Sequence, residues 1–107
     1  MICYRWPITE MTGYEPKTTF WEDFTVAERV SGVAGVKDTF QNAFKSWKHD
    51  KEYITELVMV LNWKIHQWYN VDDDLANLYN KLWGEADSWC MDNLKGDDLK
   101  YFLQTTD

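Results

Sequence analysis

Apolar residues recur every three or four positions from about residue 20 to the C-terminus, the period of helices that bury one face. A first helix is predicted over 19–31, with Phe20, Phe24, Ala27 and Val30 on its inward face. Thr19 stands at the N-cap with Glu22 three residues on, the spacing of a capping box. Gly32 suits a left-handed stop. Residues 32–35 (Gly-Val-Ala-Gly) read as a short connection, so the first two helices pack as a hairpin or at a steep angle.

A second helix over 36–48 turns Val36, Phe40, Ala43, Phe44 and Trp47 inward. Lys45, Lys48 and His49 gather at its end, where cations complement the helix dipole. A third, over 51–69, has Asp50 as its cap and a stripe of Ile54, Leu57, Val58, Leu61, Ile65 and Trp68. Tyr53, Met59, Val60 and Trp63 lie off that stripe. A helix apolar nearly all round is central, so this one is expected to be the most buried. A fourth, over 72–93, is capped by Asn70 or Asp72 and buries Leu75, Leu78, Tyr79, Leu82, Ala86, Trp89 and Cys90. Gly84 in its middle implies a close backbone approach or a bend. After Gly96, a short fifth helix over 97–104, capped by Asp97, packs Leu99, Phe102 and Leu103 inward.

Residues 1–17 lack this period and hold both prolines, one glycine and three aromatics, Tyr4, Trp6 and Tyr14. They read as an irregular or partly extended arm anchored by those aromatics, ahead of a single helical domain over 18–107. The expected fold is all-α: a compact antiparallel bundle of four to five helices with an irregular N-terminal arm. At 107 residues the chain is long enough for one core without disulfides or metal.

Composition adds an aromatic surplus. Seven Trp, six Tyr and five Phe make up 17% of the chain. A small core has limited room for them, which leaves some Trp and Tyr for a surface or cleft, and both types are enriched in interface cores. Trp63 and Trp83 fall off the main stripes. They are either exposed or covered by the arm and the last helix. The candidate protein-interaction residues are therefore Trp21, Trp63 and Trp83, with Trp6 and Tyr14 near them.

The net charge of −7 disfavours a phosphate backbone or an anionic membrane surface as partner. The charge is uneven: residues 1–54 carry seven Lys/Arg against eight Asp/Glu, and residues 55–107 four against ten. No signal-peptide pattern is read at the N-terminus, where Pro7, Thr9 and Glu10 interrupt any apolar run. No run reaches the roughly 18 residues of a membrane span. Two separated cysteines, Cys3 and Cys90, suit free thiols in a reducing compartment. A soluble, cytoplasmic protein is expected.

Candidate chemistry is sparse. The Asp72-Asp73-Asp74 run lacks the glycine and alternating ligands of a calcium loop, and reads as a dipole-favoured helix start. Neither His49 nor His66 has a Glu three residues before it, as a di-iron bundle needs. No local Cys/His pair suggests zinc. There is no nucleophile elbow and no P-loop. His66 could act as a base near Glu56 or a cysteine, but reads first as a boundary histidine. No cofactor and no metal are expected.

Three stretches carry a family resemblance. They are Thr19-Phe20-Trp21-Glu22-Asp23-Phe24, the run from Tyr53 to Asn62, and the ending from Asp92 through Gly96 and Tyr101-Phe102 to Asp107. Over residues 18–107 the chain resembles small uncharacterised proteins encoded on conjugative or phage-like mobile elements of gut bacteria. The resemblance implies an accessory role on such an element and transfers no catalytic residue.

The leading functional reading is a non-enzymatic protein-protein interaction module, with a protein partner or a second copy as its ligand and no direct nucleic-acid binding. One alternative is an acidic nucleic-acid mimic that inhibits a DNA-binding enzyme through Asp72, Asp73, Asp74, Glu85, Asp87, Asp92, Asp97 and Asp98. Another is a small enzyme with a fold-assembled site near His66.

Overall fold

The computed structural model describes residues 18–106, and among them the chain is all-α. Its helices are α1 (Phe20–Trp47), α2 (Lys51–Trp68), α3 (Asp73–Asn93) and α4 (Asp97–Thr106). The core lies around α2, which packs against each of the other three. Eight consecutive residues, Ile54 to Leu61, are buried on it, as expected for a helix apolar nearly all round.

The two helices expected over 19–31 and 36–48 are one run with a single break. Gly32 (φ 60°, ψ −138°) leaves helical geometry, and residues 33–35 are already helical again. That backbone conformation suits glycine and strains any residue with a Cβ. No four-residue connection exists, because one glycine makes the whole turn. Gly35 has a different reason to be glycine. A Cβ there would lie 2.9 Å from the Ala27 carbonyl oxygen, so the chain has doubled back far enough for residue 35 to press on residue 27. In a straight helix those residues would stand about 12 Å apart. α1 is therefore two arms, 20–31 and 33–47, folded steeply on each other.

The helix starts differ in their caps. Asp50 accepts from the amides of Glu52 and Tyr53 at 3.0 and 3.1 Å, and Asp72 accepts from Leu75 N at 3.1 Å. Asn70 does not cap; it takes positive φ (64°) in the turn between α2 and α3. Thr19 occupies the N-cap position but makes no side-chain cap, because its hydroxyl donates to Asp23 instead at 3.0 Å. Thr18 takes part of that role, accepting from Phe20 N at 3.2 Å. Its own amide donates to buried Glu56 at 2.9 Å, which fastens the start of α1 to α2.

Three inward expectations fail at the edges of the fold. Val30 is 76% exposed, Leu103 42% and Trp47 40%. Val30 lies on the face that one arm of α1 turns toward the other, outside the core. The expected close approach at Gly84 is also absent, since a Cβ there would meet nothing within 4 Å. α4 runs two residues past the predicted end. No described helix is long and apolar enough to cross a membrane.

Candidate functional site

Among the described residues, two places combine unusual chemistry with defined geometry. The first is a buried polar cluster. Lys64 on α2 is fully buried. Its ammonium donates to Thr25 Oγ1 at 2.8 Å, Glu28 Oε1 at 3.3 Å and Gln67 Oε1 at 3.0 Å. The same nitrogen lies 3.2 Å from Glu28 Oε2 and 4.2 Å from the centroid of the Trp21 ring. An ammonium has three donors, and here each has an acceptor while an aromatic face covers the charge.

Glu28 is the hub. Besides Lys64, its Oε2 accepts from Trp68 Nε1 at 2.8 Å and from Tyr79 Oη at 2.5 Å. One carboxylate thus ties α1 to α2 and α3. Burial holds the Lys64 pKa below its usual value, against the opposing pull of Glu28. Burial, together with the neighbouring Glu28 carboxylate, pushes the Tyr79 phenol well above the usual tyrosine range. The hydrophobic pattern did not reveal this cluster, because it counts apolar residues alone: Lys64 falls beside Leu57 and Leu61, and Glu28 one turn after Phe24, yet a charged residue is not scored as inward. The available signal was a lysine inside the most apolar helix, where an unpaired charge would be costly.

The second place is the groove between the two arms of α1, of about 690 Å³. Val26, Ala27 and Val30 line one wall, and Ala43 and Trp47 the other, with Gly35 near the bend. Val26 is 51% exposed there. Asp23 and Asp38 also line it, and among the described residues no lysine or arginine does. Neither carboxylate is paired with a cation among the described residues. None of Thr25, Glu28, Lys64 and Tyr79 lines the groove, so the polar cluster and the groove are separate.

Trp21, Trp63 and Trp83 sit on α1, α2 and α3, each partly buried and packed against the core. Trp21 is engaged with Lys64, and the Trp63 ring lies 6.0 Å from that of His66. Trp6 and Tyr14 lie outside the described residues. The most exposed of the described tryptophans is Trp47, which the sequence pattern assigned to an inward stripe.

His66 is exposed, while Glu56, its suggested partner, is fully buried and bonded to Thr18. Among the described residues no group of three His, Cys, Asp or Glu side chains could hold a metal ion. The acidic residues of the C-terminal half are mostly exposed. Asp74, Glu85 and Asp92 fall on one line of α3, at helical rises of about 16 and 10 Å, with exposed Lys81 among them. A duplex strand carries a charge about every 3.4 Å, so this line is sparse and interrupted.

Comparison with known proteins adds no relative: no family model, no curated protein and no solved structure matches the chain.

Proposed function

We propose that this chain is a non-enzymatic protein-binding module whose contact surface is the groove between the arms of α1. The observation that carries this reading is the exposure of Val26, Val30 and Trp47 along one concave surface. Large apolar side chains gathered in an open groove are costly in water and mark contact surfaces. The reading places the surface on the groove rather than on Trp21, Trp63 and Trp83, which are already engaged with the core.

The buried cluster supports the same reading from the other side. Lys64 and Tyr79 are the residue types of acid-base or nucleophilic chemistry, but their polar atoms are spent on Glu28, Thr25 and Gln67. We assign them a structural role: they fasten the first arm of α1 to α2 and α3, arranged as an antiparallel bundle. An accessory binding role also agrees with what the resemblance of residues 18–107 to mobile-element proteins implies.

A photo-crosslinking residue placed at position 30, with one at position 85 on the outer face of α3 as control, tests the proposal in the native host. Position 30 should capture a host protein, identified by mass spectrometry and reconstituted with the purified chain, and position 85 should not. Capture from position 85 alone would refute it.

A further inference from the structure

We infer that the groove between the two arms of α1 receives a cationic amphipathic helix of another protein. The inference rests on the reading of the groove as a binding surface and specifies what it binds. Each wall is a helix face with residues spaced three and four apart: Asp23, Val26 and Val30 on one, Thr39, Ala43 and Trp47 on the other. The arms of 12 and 15 residues are about 18 and 22 Å long. An apolar trough of that length between two helices accepts a third helix of about four turns, with anchors at i, i+3 or i+4, and i+7.

The charge selects among helices. Among the described residues the lining holds two carboxylates, one on each arm, and no lysine or arginine. The whole chain adds a net charge of −7, which attracts a basic partner from a distance. A helix with leucine-like residues toward Val26, Ala27 and Val30, and lysine or arginine flanking that stripe, meets both requirements. A second copy of this chain is a poorer occupant: pairing groove to groove about a twofold axis would bring four carboxylates into one seam with no cation among the described lining residues. Nucleic acid is repelled by the same carboxylates. The bend explains why the trough is open. Gly32 reverses the chain, and Gly35 lets the arms touch at Ala27, so the walls meet there and leave the rest of their facing surfaces unfilled by the described residues.

The test uses the full chain and three fluorescein-labelled synthetic peptides of 18 residues. One is a Leu/Lys amphipathic helix, one has the same composition in an order with no apolar stripe, and one replaces every Lys with Glu. Binding is followed by anisotropy, and the site by methyl NMR shifts of Val26, Ala27, Val30 and Ala43. The Leu/Lys helix should shift those methyls and bind at least about tenfold more tightly than either control. The Asp23→Asn/Asp38→Asn double variant should lose about tenfold of that affinity with its melting temperature preserved. Equal binding of all three peptides, shifts confined to other methyls, or undiminished affinity of the double variant would overturn the inference. So would dilution-dependent shifts of the groove methyls with no peptide present, which would mark a second copy there. So would contacts of those methyls with residues 1–17 of the free chain. If a host protein still crosslinks at position 30 while the Leu/Lys peptide fails, the binding-module reading stands and only the cationic-helix inference falls.

Discussion

The Lys64 ammonium lies 3.2 Å from Glu28 Oε2, joining α2 to the first arm of α1 with Lys64 wholly out of solvent. A charge taken out of water is tolerated only where its partners are complete. Here the lysine has Thr25, Glu28 and Gln67, and the carboxylate has Trp68 and Tyr79 as well. Removing either member strands the other, so Lys64→Met and Glu28→Gln should each cost about 3–5 kcal/mol of stability. The Glu28→Gln/Lys64→Met double variant should cost clearly less than the sum, because it removes both charges together. Urea unfolding of the four proteins gives the coupling directly. Additive losses would mean that the pair does not act as a unit.

How much of this was legible in the sequence depends on whether one helix face or two helices define the feature. The central helix around Ile54 to Leu61 was readable, because an apolar run without a polar face has nowhere else to go. The caps at Asp50 and Asp72 were readable because their signal is local. The fate of Val30 was not, since its period matches that of Phe24, and only the fold of α1 decides which of them meets the core. The Lys64–Glu28 pair spans 36 residues of sequence, and no local pattern connects them. The groove required knowing that residue 35 presses on residue 27, which follows from the sign of one φ angle at Gly32.

Two glycines should respond to alanine with opposite signs. At Gly35 the new Cβ would fall 2.7 Å from Ser31 Cβ and 2.9 Å from the Ala27 carbonyl oxygen, and a carbonyl cannot move without shifting the helix. Gly35→Ala should destabilise by about 1–3 kcal/mol, as overpacking does. At Gly84 the Cβ would enter open space on a helix, so Gly84→Ala should gain about 1 kcal/mol from helix propensity. Thermal melts of the two single variants check both signs. A stabilised Gly35→Ala would show that the arms of α1 do not touch at Ala27.

Substitution inside the groove should separate binding from folding. Val30 is 76% exposed, so Val30→Lys should change stability by no more than about 0.5 kcal/mol. It places a cation where a cationic helix is expected to dock, and should weaken the Leu/Lys peptide at least about tenfold. Val36→Lys provides the contrast, because Val36 is fully buried and its replacement should unfold the protein. Anisotropy titrations read beside melting curves distinguish the two effects. A Val30→Lys protein that melts much earlier would place Val30 in the core after all.

Alkaline pH should weaken the fold through Cys90. Its thiol is fully buried, and burial together with nearby Asp87 pushes its pKa up from 9.0 to about 12. In the unfolded chain the thiol releases its proton near its ordinary value, whereas in the folded chain it keeps it. Between those two values the native state therefore binds more protons, and stability falls as pH rises. The limiting slope is about 1.4 kcal/mol per pH unit. Below the ordinary thiol pKa both states hold the proton, and Cys90 contributes no pH dependence. The Cys90→Val variant removes the titrating group while keeping an apolar side chain of similar volume. Its stability difference from the parent should be constant up to about pH 8.5 and then move steadily in favour of the variant. Tyr79 titrates in both proteins and cancels from that difference. Urea unfolding from pH 7 to 11 measures it, and a flat difference across the whole range would mean that the thiol reaches solvent in the folded protein.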